Sequence, residues 1–487
     1  MTTTIHIYGP NSLIKGYYPK EEVHIATSYP VEGAKFSQAF RKGLWDGRKG
    51  LLNKRTGAFP TGLLGAVKGV LESNGIEYDI DDHRMKPKPK NEGFDLLGVS
   101  MTGKYSYQLD ACKAIVDNMQ GIVKAATNAG KSEIAAAVIH HLGLPTLFLV
   151  PSGELMYQTQ KRFMKRLGLS SKEIGIIGDS EWSPGSLVTV AIFHTLASRL
   201  EKEDTVDFLS KIDVLFLDEC HSTGADGYYT VSTFTPAYYR IGLSATPLDR
   251  TDGADLRLLA TTGDIIFEIT NKQLVDLRVS AKADIVWDKV STPIIPKKTQ
   301  YPAVYKAGVS DNPELVQKIV DWAVALTQEK LSTLILVEEI EHGNIVDDAL
   351  WNNDQGVFIP HQFIHGSEDM AVRAKAIDDF DARLIPVLVC SRILDQGVDT
   401  NAIDALIVAG SRKSKIKTLQ RLGRGLRGQK LIVIEFSNYC HKYLLEHSIQ
   451  RLKDYKQENC FPIHSYKEGT DKRSMIRDLW EKQGRVL

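Results

Sequence analysis

Short runs of Val, Ile and Leu alternate with stretches of helical period along most of the chain beyond residue 95, and the apolar runs lack an in–out alternation of their own. Runs of this kind, each followed by a helix, predict parallel strands covered on both faces. A first series is expected at Gly121–Ala125, Thr146–Val150, Leu187–Ile192, Asp213–Leu217 and Arg240–Leu243. A second is expected at Thr333–Val337, Pro386–Cys390, Asp404–Val408 and Leu431–Phe436. The repetition predicts two parallel-sheet α/β domains in tandem. Two breaks divide the chain. Met85–Asn91 alternates prolines with lysines and cannot hold a helix, because proline lacks the amide donor and clashes with the preceding turn. Residues 271–312, with Thr292-Pro-Ile-Ile-Pro-Lys-Lys-Thr, read as a second connection. The expected domains are 1–90, a small α/β domain, then 95–275 and 300–470.

A length of 487 residues agrees with three domains at about 150 residues each. Hydrophobic residues at 43% and charged residues at 25% exclude a disordered, collagenous or coiled-coil chain. The five cysteines, Cys112, Cys220, Cys390, Cys440 and Cys460, are odd in number and form no C-x-x-C, which predicts free thiols in a reducing compartment. The first residues lack a basic stretch leading into an apolar one, and apolar runs such as Ile134–Ile139 are far too short to span a bilayer. A cytoplasmic protein without membrane contact is expected. Sixty Lys and Arg against sixty Asp and Glu give a formal net charge of zero, so a polyanion must be met by local basic patches.

The strand at Gly121–Ala125 runs into Ala125-Ala126-Thr127-Asn128-Ala129-Gly130-Lys131-Ser132 and then a helix, Glu133–Leu142. This is the phosphate-binding loop pattern, with Ala125 at its usual first glycine. Small residues let the backbone amides face a polyphosphate, and the helix start adds partial positive charge. Lys131 is then expected at the β- and γ-phosphates, and the Ser132 hydroxyl on Mg²⁺. The run Val214-Leu-Phe-Leu-Asp218-Glu219-Cys220-His221 ends a buried strand in two acids, where open α/β sheets bind ligands. Asp218 is expected to hold Mg²⁺ and Glu219 to activate or orient the attacking water. Cys220 is expected to be a packing residue, and adjacent His140 and His141 lack the spacing of a metal site.

From Tyr105 to Tyr455 the chain resembles the superfamily 2 helicases and translocases, whose acidic motif is D-E-x-H. The resemblance implies two RecA-like motor domains, ATP and Mg²⁺. Gln108 would read the adenine edge, with Tyr105 or Tyr107 packed on the base. Val150-Pro151-Ser152 and Phe193-His194-Thr195 would contact nucleic-acid phosphates, as would Ile364-His365-Gly366 and Ser391. Ser244-Ala245-Thr246, with His221 as neighbour, would couple nucleotide state to nucleic-acid grip. Gly397-Val398-Asp399 would lie near the nucleotide, and Gln420-Arg421-Leu422-Gly423-Arg424-Gly425-Leu426-Arg427 matches Q-R-x-G-R-x-x-R. Three residues apart on a helix, Arg424 and Arg427 share a face and are expected to act on the γ-phosphate as arginine fingers, completing the site from the second motor domain.

Two basic patches stand out. Ser411–Lys430 carries eight Lys and Arg and no acid, of which Arg412, Lys413, Lys415 and Lys417 are left for a phosphate track or a solvated face. Lys35–Arg55 carries seven Lys and Arg and one acid, Asp46, with Phe36, Phe40 and Trp45 interleaved. Basic residues among aromatics suit phosphate contact plus stacking, with Arg41, Lys42, Trp45 and Arg48 as candidates, while the aromatics equally suit a small core. F-R-x-G-x-W-D-G-R resembles the N-terminal domain of UvsW-type bacteriophage helicases. That resemblance implies a monomeric helicase tracking single strands in branched or forked DNA and RNA–DNA hybrids, in phage recombination, replication and repair. The alternatives are a double-stranded DNA translocase, an RNA helicase, or a non-catalytic binding module on the same scaffold.

Overall fold

The computed structural model describes residues 2–224, 226–248, 253, 255–391, 402–410 and 430–484. The chain divides into two compact units, Met1–Ile269 and Thr270–Leu487.

The first unit opens with strands β1 (Thr3–Ile7), β2 (Asn11–Lys15), β3 (Ser28–Pro30), β4 (Arg48–Gly50), β5 (Ala58–Pro60) and β6 (Tyr78–Asp82). Four of them form a mixed sheet in the order β5-β2-β1-β6, in which β1 pairs with β6 in parallel, while β3 and β4 make a separate antiparallel pair. Helices Lys20–Ala26 and Leu64–Ser73 cover the sheet through Val23, Val67 and Leu71, which are fully buried. This core does not close on itself. Ala260 belongs to it, and Tyr229, Leu256 and Leu259 pack at its edge, so the N-terminal layer shares apolar surface with the domain that follows.

That domain is an eight-stranded sheet of β7 (Gln120–Ala125), β8 (Thr146–Val150), β9 (Ile174–Gly178), β10 (Glu181–Ser183), β11 (Val188–Ile192), β12 (Val214–Asp218), β13 (Tyr239–Ser244) and β14 (Ile265–Ile269). Its order is β10-β9-β11-β8-β12-β13-β7-β14, parallel except for the edge pair of β9 and β10. Strands β7, β13 and β12 are adjacent and in step, with Ser244 opposite Lys124 and Leu243 opposite Asp218. Their carboxyl ends therefore form one rim. Between the two layers, Lys90 and Asn91 donate their amides to Leu142 and His141 carbonyls (both 3.1 Å), capping helix Lys131–Leu142.

The second unit holds β15 (Lys282–Val290), β16 (Thr333–Leu336), β17 (His361–Ile364), β18 (Val387–Cys390), β19 (Ala405–Val408), β20 (Lys430–Asn438) and β21 (Ile463–Ser465), all parallel, in the order β17-β18-β16-β19-β20-β15-β21. Strand β15 lies within 271–312, the stretch that reads as a connection from sequence. The Pro/Lys-rich piece that marked the connection begins only at Thr292, after the strand, and the acids within the strand are held in place: Asp284 meets His464 at 2.6 Å, and Asp288 meets Lys318 at 3.0 Å and Trp322 Nε1 at 2.9 Å. A buried acid with such partners no longer opposes a strand. The unit also runs past residue 470, because helix Lys472–Gly484 buries Ile476 and Leu479 in its core. Among the described residues, no helix is long and apolar enough to cross a membrane.

Candidate nucleotide and nucleic-acid sites

Strand β7 ends at Ala125 and the chain turns through Ala126–Gly130 into helix Lys131–Leu142. Asn128 (φ 72°) and Gly130 (φ 80°) adopt left-handed backbone, which Gly130 tolerates for want of a Cβ. A Cβ there would also strike Gln108 Nε2. Among the described residues no side chain caps the helix start, so the amides of its first turn suit a ligand. Lys131 Nζ lies 3.4 Å from the Ala125 carbonyl, at the base of the turn, and Ser132 Oγ accepts from Arg162 at 3.3 Å. Uncapped amides, a lysine and a hydroxyl on a sheet rim fit a polyphosphate.

Asp218 ends β12 on the same rim. Desolvation, with Glu219 beside it, pushes its carboxyl well above the usual range, against the pull of Lys131 and His221. Two neighbouring carboxylates whose joint ionisation is disfavoured fit a cation, so Mg²⁺ suits this set. Glu219 itself sits at φ 47°, a conformation costly to a non-glycine residue. Its carboxylate lies 3.3 Å from His221 Nδ1, which is 3.2 Å from Ser244 Oγ, which in turn accepts from the Thr246 amide at 3.2 Å. The three candidate coupling residues are thus joined to Glu219 in one connected chain. Cys220 is fully buried against Gly242, and burial drives its thiol well above the ordinary range, so it packs rather than reacts.

Tyr107 and Gln108 lie behind the loop. Tyr107 Oη and Gln108 Nε2 both donate to the Ala129 carbonyl at 3.0 Å, and both residues are buried. Tyr107 therefore holds the loop rather than presenting a face to a base, and of the two aromatics only Tyr105 is partly exposed. Among the described residues, Gln108 Oε1 is buried without a hydrogen-bond partner, an acceptor that suits an amino group such as that of adenine. Three contributors were not singled out in sequence. Arg162 reaches Ser132 from the neighbouring helix; Tyr228 Oη donates to the Asp218 carbonyl (2.8 Å) and lies 3.2 Å from that of Leu149; and buried Arg240 donates to the Thr261, Thr235 and Ser232 carbonyls (2.8, 2.7 and 2.6 Å). Each acts across a fold distance, and only an arginine inside an apolar strand hinted at the last.

The nucleic-acid candidates are placed as follows. Pro151 and Ser152 follow β8, and Thr195 lies in the short helix after the neighbouring β11. Ser152 Oγ accepts from the Leu155 amide at 3.4 Å, which makes it the cap of helix Gly153–Leu167. In the second unit His365 and Gly366 follow β17 and Ser391 follows β18, tied together by the Ser391 amide on the Ile364 carbonyl (3.2 Å). In the N-terminal layer Arg41 and Lys42 are exposed, beside exposed Phe36, Phe40 and Leu44. Trp45 is half-buried and donates to the Arg48 carbonyl at 2.7 Å. Arg48 departs from the expectation of a phosphate contact. Its Nε and Nη2 bind Ser28 Oγ (2.7 Å) and the Ser28 carbonyl (2.6 Å), which ties β4 to β3. Gly397, Asp399, Gln420, Arg424 and Arg427, with Arg412, Lys413, Lys415 and Lys417, lie outside the described residues.

Residues 103–249 match the family described as the res subunit of type III restriction enzymes, and residues 312–429 match the helicase conserved C-terminal domain. The chain is 24% identical over 477 residues to the ATP-dependent DNA helicase uvsW of Enterobacteria phage T4, covering 88% of this chain and 92% of that one. It is 26% identical over 355 residues to the DNA 3'-5' translocase XPB2 of Sulfurisphaera tokodaii, covering 66% and 78%. The solved structure of S. cerevisiae Dbp5 bound to RNA and ADP BeF3 shares the fold with a TM-score of 0.55 at 16% identity, over 80% of this chain and 98% of that one. With both matched segments in order on two parallel-sheet units, the chain belongs to the superfamily 2 helicases and is an ATP-dependent helicase, an ATP hydrolase.

Proposed function

We propose that this helicase acts on DNA and that its substrates are branched: forks, four-way junctions and RNA–DNA loops, in phage recombination, replication and repair inside the host cell. The observation that carries the reading is that the likeness to uvsW takes in 88% of this chain, more than the two matched segments together. The N-terminal layer offers exposed Arg41 and Lys42 beside exposed aromatics, suited to phosphate contact with stacking.

In this reading the amides of Thr127 to Ser132 and Lys131 hold the triphosphate, and Ser132 with Asp218 would hold Mg²⁺. When bound, Mg²⁺ neutralises charge on the phosphate oxygens. Glu219, oriented by His221, orients the attacking water, and the links onward to Ser244 and Thr246 carry its state to the rim of the sheet. Gln108 reads the base beside the loop it supports. From the resemblance come Gly397 and Asp399 near the nucleotide, Gln420, and Arg424 and Arg427 as γ-phosphate ligands. The resemblance also gives Pro151, Ser152 and Thr195 in the first unit, and His365, Gly366 and Ser391 in the second, as nucleic-acid contacts; each lies near a strand end, where backbone and small polar groups suit phosphate rather than base contacts.

The test is to measure ATP hydrolysis and strand separation on single-stranded, linear duplex, forked, four-way and RNA–DNA loop substrates. Separation of the branched substrates is expected. Hydrolysis stimulated by linear duplex without strand separation on any substrate would favour a translocase, the activity in the name of the Sulfurisphaera relative. Arg424→Ala is expected to remove most hydrolysis while leaving ATP binding, measured separately by nucleotide titration.

A further inference from the structure

On the N-terminal sheet, β1 and β6 run parallel with His6 directly opposite Asp81. Side chains two apart on a strand share a face, so His6 and Tyr8 of one strand meet Asp81 and His83 of the other. His6 Nδ1 lies 3.1 Å from Asp81 Oδ2 and 3.2 Å from His83 Nε2, and His83 Nε2 lies 3.1 Å from Asp81 Oδ2. Three donor atoms thus form a nearly equilateral triangle.

Hydrogen bonds alone leave this triangle incomplete. Each imidazole nitrogen carries either a proton or a lone pair, never both, so at least one edge must lack a hydrogen bond. A single cation resolves the conflict by accepting a lone pair from each corner. The spacing fits: with metal–ligand bonds of about 2.0–2.1 Å, ligand atoms of a tetrahedral site stand about 3.3 Å apart, within a few tenths of an ångström of all three edges.

The setting is rigid on the protein side and open on the other. The His83 amide donates to the Ile7 carbonyl at 2.9 Å, and the Tyr8 ring stacks on the His83 ring at 4.6 Å with 3° between planes. Asp81 and His83 side chains are 52% and 40% exposed, which leaves an entry path and a position for water. Two imidazoles and one carboxylate are a borderline donor set that suits Zn²⁺ rather than Mg²⁺ or Ca²⁺.

We propose that His6, Asp81 and His83 form a binding site for one divalent transition-metal ion, Zn²⁺ by donor chemistry, separate from the nucleotide site. The ion clamps the last strand of the N-terminal sheet to its first strand just before the Met85–Asn91 segment. Metal bound there stabilises the N-terminal layer.

The experiment is equilibrium dialysis of the full-length protein against Zn²⁺ alone, in excess Mg²⁺, for wild type, His83→Ala and Asp81→Asn. Wild type is expected to retain one more equivalent than either variant, with affinity at this site falling at least about tenfold in each. Co²⁺ substitution should give the visible bands of a four-coordinate site in wild type only. DNA-stimulated ATP hydrolysis, which these residues do not serve, confirms that the variants are folded. Equal uptake by wild type and variants, or Co²⁺ spectra unchanged by the substitutions, would overturn the assignment.

Discussion

At the scale of single residues, the chemistry concentrates where charges are held against their preference. Asp218 and Glu219 sit side by side on a desolvated rim, and Glu219 keeps a left-handed backbone. These residues were legible in sequence because a strand, a small-residue turn with lysine, and a second strand ending in two acids are local patterns. Arg162, Tyr228 and Arg240 were not, because each works through a partner 10 or more residues away or on another element. Two predictions belong here. Arg451 and Glu435 are 2% and 0% exposed and bound at 3.0 Å, so Arg451→Ala leaves a buried unpaired carboxylate and should lower stability by about 3–5 kcal/mol in denaturant titration. His342 is fully buried, and among the described residues neither ring nitrogen has a hydrogen-bond partner; desolvation lowers its pKa from 6.5 to about 4. The unfolded ring takes up a proton below pH 6.5 while the folded ring stays neutral until about pH 4. Stability is therefore lost as pH falls through that window, by about 3 kcal/mol at about 1.4 kcal/mol per unit. His342→Leu should flatten that part of the stability–pH curve.

At the scale of elements, the turn between β7 and helix Lys131–Leu142 is held from behind by Tyr107 and Gln108, both on the Ala129 carbonyl. Gly130→Ala should raise the KM for ATP, because the new Cβ strains the backbone and meets Gln108. Gln108→Ala alone should raise the KM as well, through the lost base contact, and on that background Gly130→Ala should add less than it does in wild type, the difference in steady-state kinetics measuring the collision. The strands of pure apolar composition were readable along the chain. Strand β15 was not, since the Pro/Lys-rich piece just after it marked the whole stretch as a connection, and the partners that hold its two acids, His464, Lys318 and Trp322, lie far along the chain.

At the scale of the whole molecule, the N-terminal layer is continuous with the core of the first motor sheet. Removing residues 1–90 would uncover Ala260, Leu256, Leu259 and Tyr229, so truncation should lower the melting temperature and hydrolysis together. Its DNA role is better read from Arg41→Glu with Lys42→Glu, which should weaken binding to forked DNA. The slope of log affinity against log salt should shrink by about one for each phosphate that is no longer neutralised. A net charge of zero is compatible with such a local grip. The decisive experiment for ATP-driven action on branched DNA is dissociation of a four-way junction by wild type with and without ATP, and by Lys131→Ala with ATP. Separated strands are expected only for wild type with ATP; separation by Lys131→Ala at the wild-type rate, or ATP consumed by wild type while every junction stays intact, would contradict that mechanism.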